Sequence, residues 1–191
     1  AIDFKTTKDL YDKFWDKKAK DLRQRQEDSY KWVEIVFSLS NYMSKHQTLT
    51  APISILSEFG ILPEAMVSEH ILIKYQAKYA FFHQGFFDYV FARDFCAKNL
   101  KLVPFLKNDV QHLFRRTQVV QILSRERDDN FADYVTDLEL LLNDDEIRYH
   151  LKKIVFLMLS ELEDPNIDEW RVIAPFLYDS KDPRSRDAKS I

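Results

Sequence analysis

Lys78-Tyr79-Ala80-Phe81-Phe82-His83-Gln84-Gly85-Phe86-Phe87-Asp88-Tyr89-Val90-Phe91-Ala92-Arg93 decides how the rest of the chain is read. An alternating apolar run reaches a histidine, and directly after it the period changes from two to helical. Phe87, Val90, Phe91 and Phe95 fall at i, i+3, i+4 and i+8, one face of a helix. A strand that ends at His83 therefore feeds a helix that must be buried. Phe86, Phe87, Tyr89, Phe91 and Phe95 could also suggest a stacking platform for single-stranded nucleic acid. Helical spacing and the lack of interleaved Lys or Arg favour core packing, and Asp88 is expected to face a polar neighbour.

Upstream of this junction, Ile71-Leu72-Ile73-Lys74-Tyr75 and Lys78-Tyr79-Ala80-Phe81-Phe82 alternate on either side of Gln76-Ala77, which reads as a hairpin. Leu62-Pro63-Glu64 opens a short helix running to Ser68 or Glu69. Thr50-Ala51-Pro52 reads as the start of another, over Ile53 to Phe59, with Gly60 at the position where a left-handed residue ends a helix. Tyr30 to Lys45 is apolar almost all round (Trp32, Val33, Ile35, Val36, Phe37, Leu39, Tyr42, Met43), as the central helix of a compact unit would be. Helix, two short helices and hairpin in this order predict a winged helix–turn–helix. Thr6 to Gln26 is an earlier helix whose face is Leu10, Phe14, Lys18 and Leu22, with Tyr11 and Trp15 beside it.

Beyond Leu100 only helical periods remain. One helix is capped by Asn108 or Asp109 and carries Val110, Leu113, Phe114, Val120 and Leu123. Phe131 to Leu142 is the next. Asp144-Asp145-Glu146 opens a third, with Ile147, Leu151, Ile154, Val155, Met158 and Leu162, and Asp164-Pro165 breaks it. Ile167 to Tyr178 is a fourth. The fold class is mainly α: a winged helix with a small two-stranded wing, then a solenoid-like antiparallel helical array. The domains expected are a helical segment over 1–27, the winged helix with its aromatic helix over 28–99, the array over 100–178, and a linker or frayed tail over 179–191.

Composition agrees with this. Of 191 residues, 46% are hydrophobic and 31% charged, enough for a core and a solvated surface. Two glycines and six prolines are few for a sheet-rich fold. A net charge of −3 gives no global case for nucleic acid or an anionic membrane surface. No run approaches the ~18 apolar residues of a membrane span, and no signal peptide is read. The single cysteine, Cys96, cannot close an internal disulfide and reads as a small core residue in a reducing, cytoplasmic setting. The chain starts at Ala1 without Met and is read as a piece of a longer protein.

Catalytic patterns are missing from the sequence. Gly60 and Gly85 are the only glycines and neither precedes a Lys, so no phosphate-wrapping Walker A loop is present. There is no His-Glu-x-x-His, no cysteine pair and no Gly-x-Ser-x-Gly. His46, His112 and His150 read as ordinary helix residues rather than metal ligands. Asp128-Asp129 and Asp144-Asp145-Glu146 read as solvated loops and helix N-termini rather than catalytic pairs. The fragment is expected to be no enzyme.

Phe82-His83-Gln84-Gly85-Phe86-Phe87-Asp88-Tyr89-Val90-Phe91-Ala92 resembles the FxHxxFxEYxxA signature in the winged-helix domain of NACHT-type signal-transduction ATPases, the STAND class. Leu10-Tyr11-Asp12-Lys13-Phe14-Trp15-Asp16-Lys17-Lys18 resembles the LYxxFWxxK helix that precedes that domain in prokaryotic members. Leu56 to Val67, followed by Ser68-Glu69-His70-Ile71-Leu72, is similar to their L…SEGIL stretch, and Arg115 to Leu123 to the helical region beyond. Two departures stand out: Gly85 sits where Ser or Thr is common, which would loosen the helix start, and the ATPase core is absent.

The resemblance implies a regulatory region that couples ADP/ATP state to ligand sensing. ADP or ATP would be bound in the parent protein and none in this fragment. Its partners would be the adjacent NTPase domain of its own chain, a protein ligand on the helical array, and further copies on activation, in prokaryotes often in antiviral defence. One residue carries over: His83 would reach the β-phosphate of ADP. An imidazole at a strand end beside a helix N-terminus can offer an N–H to a phosphate. The alternative is that His83 hydrogen-bonds a backbone carbonyl at the corner. A different functional class is a winged-helix transcription factor. Its recognition helix, Leu62 to Glu69, carries two glutamates and no base, and the wing offers only Lys74 and Lys78.

Overall fold

A computed structural model describes residues 6–24, 29–178 and 185–189. The chain is mainly helical, with a small three-stranded antiparallel sheet. It divides into two compact units, Ala1–Asp94 and Phe95–Ile191.

In the first unit, α1 spans Thr7–Arg23. Thr6 starts it with a reciprocal cap: its hydroxyl accepts from the Asp9 N–H at 3.1 Å, and the Asp9 carboxylate accepts from the Thr6 N–H at 3.0 Å. The buried face is Tyr11, Trp15 and Leu22, whereas Leu10 is 42% exposed. The inward stripe thus leans towards Tyr11 and Trp15, the residues beside the expected face, while Leu22 is buried as expected and Phe14 packs on Phe82 and Phe86. Trp15 lies 4.3 Å from Trp32 and carries the Arg93 guanidinium 4.4 Å above its ring. Lys18 reaches the buried Glu69 at 3.2 Å.

α2, Trp32–His46, buries Trp32, Ile35, Val36, Leu39 and Met43 and keeps only Glu34, Lys45 and His46 exposed, as its composition requires. It ends on Gln47, which is left-handed at φ 50°. Ala51–Pro52 is not a helix start but a short strand, β1. It pairs antiparallel with the hairpin, Ala51 opposite Tyr79, so the sheet has three strands instead of two. Proline is tolerated there because β1 is an edge strand. Ile53–Phe59 follows as a 3-10 helix rather than an α-helix, and Gly60 closes it at φ 59°. α3 is Leu62–Ser68. β2 (Leu72–Tyr75) and β3 (Lys78–Phe81) form the expected hairpin, in register Leu72 to Phe81 and Tyr75 to Lys78, turning through Gln76 at φ 52°.

α4, Gln84–Ala97, is buried without interruption from Phe86 to Ala92. The apolar surface is therefore the whole circumference, not one stripe, which makes α4 an interior helix. Asn41 donates to Asp94 at 2.7 Å and joins α2 to it.

The second unit holds α5 (Leu102–Lys107), α6 (Arg115–Asp129), α7 (Phe131–Asn143), α8 (Tyr149–Ser160), α9 (Ile167–Tyr178) and α10 (Ser185–Ala188). Its core is built from Ile122, Leu123, Tyr134, Leu138, Leu151, Val155, Phe156, Ile173 and Phe176. Two expected helix starts are corrected. The segment 108–114 is not helical, and Val110 and Leu113 are 48% and 67% exposed. Asp144-Asp145-Glu146 does not open α8, which begins at Tyr149; Asp144 instead accepts from the Glu146 N–H at 2.8 Å and holds a turn. Of the expected tail, 179–184 and 190–191 lie outside the described residues.

Candidate functional site

The corner between β3 and α4 is built around His83. Its carbonyl accepts from the N–H groups of Phe86 and Phe87 at 3.1 and 3.2 Å, which places it at the N-cap of α4. Its side chain caps as well: Nδ1 accepts from the Gly85 N–H at 3.0 Å. The Tyr11 hydroxyl, from α1, lies 3.0 Å from the same nitrogen.

These two contacts assign the tautomer. A backbone N–H can only donate, so Nδ1 carries no proton and the neutral ring holds its hydrogen on Nε2. Tyr11 is then the donor in its bond to Nδ1. The imidazole is exposed, and Nε2 has no partner among the described residues. The expected alternative, a bond to a backbone carbonyl, is not what holds the ring: both of its bonds are accepted, not donated.

Tyr11 is 7% exposed and its ring lies 5.6 Å from Phe86 and 5.5 Å from Tyr89. Burial, and after it the nearby Asp88 charge, raise its phenol above the ordinary value, so it remains an O–H donor at neutral pH. Gly85 is what admits the hydroxyl. A Cβ at that position would stand 2.5 Å from Tyr11 Oη and 3.1 Å from His83 Nδ1. The glycine, read as loosening the helix start, also makes room for a contact. Beside it, Tyr89 donates to Asp12 and accepts from Arg93 at 2.8 Å, a second polar tie between α1 and α4.

Asp88 departs from its expected environment. It is 1% exposed, and neither carboxylate oxygen has a hydrogen-bond partner among the described residues. Burial pushes its pKa up to about 7.

The other sequence candidates do not assemble. His46 lies against Tyr42, His150 bonds the Gln111 carbonyl at 2.9 Å, and His70 and His112 are exposed. Among the described residues no group of His, Cys, Asp and Glu could hold a metal ion, and no helix is long and apolar enough to cross a membrane. Asp129 pairs with Arg125, and Asp144 with Lys107. Burial first, then the Glu126 charge, push the Cys96 thiol up to about 12, far from a nucleophile's range. Phe86, Phe87, Tyr89, Phe91 and Phe95 are each at most 5% exposed, so they cannot stack bases. On α3, Glu64 accepts from both Lys74 and Tyr79, which occupies one of the two wing lysines.

Tyr11 was not singled out from sequence as a site residue. The signal available was Gly85, a side chain missing from an otherwise bulky helix, which implies that another group fills its place.

Comparison of the chain with protein-family models, with curated proteins and with solved structures finds no match.

Proposed function

We propose that this chain is a non-catalytic regulatory region of a nucleotide-switched STAND-type ATPase, in which His83 offers its Nε2–H to the β-phosphate of ADP held by an adjacent NTPase domain. The observation that carries this reading is the state of the imidazole. It is exposed, anchored through Nδ1, and left with one N–H donor that nothing in the described residues uses. A phosphate oxygen is an acceptor and fits that donor; a cation does not. The order of α2, the 3-10 helix, α3, hairpin and α4 supports a winged helix, and the helices after Phe95 supply a candidate surface for a sensed protein ligand. Nucleotide and ligand would then bias one closed–open equilibrium, with self-association in the open state.

The test uses the full product of the encoding gene, loaded with ADP. A hydrogen bond to a charged phosphate contributes about 1.5–3 kcal/mol. His83→Ala should therefore speed ADP release by about one to two orders of magnitude and ease activation. An unchanged release rate refutes the role. Salt-sensitive binding of random duplex by the chain would instead favour the transcription-factor class.

A further inference from the structure

We infer that Tyr11 is the positioning residue for the phosphate contact: its hydroxyl, carried by α1, fixes the His83 ring so that the Nε2–H is the donor left to a ligand. This rests on the reading of His83 given above and adds a second residue, and a second element, to that site.

Two observations carry it. The Gly85 N–H is a local donor to Nδ1, two residues from His83. Tyr11 supplies a second donor to the same nitrogen, from 72 residues away in sequence. Its own ring cannot follow a moving imidazole, because it is buried against Phe86 and Tyr89.

The consequence is regulatory. Because the hydroxyl rides on α1, displacing α1 removes one of the two anchors of the ring. The seating of that helix is thereby reported at the phosphate contact, through one hydrogen bond.

The deciding variant is Tyr11→Phe, which removes the oxygen and keeps the ring. In the 15N-labelled chain, two-bond proton–nitrogen correlation of His83 should show a bare Nδ1 and a protonated Nε2. In Tyr11→Phe the Nδ1 shift should move as one of its two donors is lost, while the Gly85 N–H keeps the proton on Nε2, with backbone shifts elsewhere in the chain preserved. In the full gene product loaded with ADP, the same substitution should speed ADP release several-fold, by less than His83→Ala, and should add nothing in the His83→Ala background. Gly85→Ala, which displaces the hydroxyl without altering Tyr11, should move the imidazole shifts the same way and covers the case in which Tyr11→Phe fails to fold.

Unchanged imidazole shifts in both variants overturn the positioning role while leaving the reading of His83 intact. So do altered shifts with an unaltered release rate, provided that His83→Ala does speed release. If His83→Ala itself leaves release unchanged, the underlying reading fails and the positioning role falls with it.

Discussion

Gly85→Ala should destabilise a helix that alanine ordinarily favours, and Tyr11→Phe should remove most of that cost. In a helix interior, alanine is better than glycine by about 1 kcal/mol. Gly85 is the second residue of α4 and has no left-handed backbone to preserve, so on propensity alone the substitution stabilises. The added Cβ, however, would meet Tyr11 Oη at 2.5 Å, Tyr11 Cζ at 3.3 Å and His83 Nδ1 at 3.1 Å. The phenol is the end of a buried ring held by two others and cannot swing aside. Overpacking of this kind costs about 1–3 kcal/mol, and the displaced hydrogen bond about 1 kcal/mol more. The net expectation for Gly85→Ala is a loss of about 1–3 kcal/mol. Tyr11→Phe alone should cost about 1 kcal/mol, since Nδ1 keeps the Gly85 N–H as a partner. In the double variant the 2.5 Å contact no longer exists, the remaining two need only small shifts and the hydrogen bond is lost only once, so it should be more stable than the sum by about 2–3 kcal/mol. Urea unfolding followed by tryptophan fluorescence reads this, because Trp15 and Trp32 adjoin each other in the same unit. A Gly85→Ala chain more stable than the parent, or a double variant that is simply additive, refutes the packing logic of the corner.

Two further outcomes follow from buried charge. Burial lifts Asp88 to about 7 in the folded chain, against about 3.9 unfolded, so the folded state holds that proton more tightly and its contribution is fullest below about pH 4 and lost as pH rises towards 7. Asp88→Asn should remove that loss and leave the chain more stable than the parent by up to about 4 kcal/mol at pH 8; urea midpoints across pH that stay parallel for the two chains would sink this, with the residual slope assigned to Glu126, lifted to about 8 by burial and then Asp137. Glu169 is 1% exposed and accepts from Arg127 at 2.6 Å, from the Tyr134 hydroxyl at 2.8 Å and from the Asn166 N–H. Glu169→Ala orphans all three donors and should cost about 3 kcal/mol, the low end for a broken buried pair because Arg127 keeps some solvent; a thermal melt unchanged from the parent contradicts it.

The elements read well from sequence are those whose cause is local. Ile167 to Tyr178 is a helix with those bounds, and the two strands around Gln76-Ala77 pair as their alternation requires. The misread ones have distant causes. Ala51-Pro52 carries a good helix-opening proline, yet its backbone pairs with Tyr79 and Lys78, and nothing near position 51 encodes that partner. Val110, Leu113 and Phe114 have helical spacing, but no buried surface is there to use it, and the first two remain exposed. Asp144-Asp145-Glu146 has the acidic composition of a helix start, and the Asp144 side chain competes for the same backbone donors and wins a turn.

The corner at His83 follows the same division. Its place between strand and helix is a change of period, visible in one short stretch. Its chemistry is not, because the partner that orients the ring lies on another helix. The glycine that breaks the apolar pattern in the first turn of α4 gains an explanation only once Tyr11 is in position: Gly85 leaves the volume its hydroxyl fills. A larger residue at 85 would suit an interior helix better on propensity alone. That it is otherwise is accounted for by the contact beside it: the local cost to α4 sits where the hydrogen bond to His83 is made.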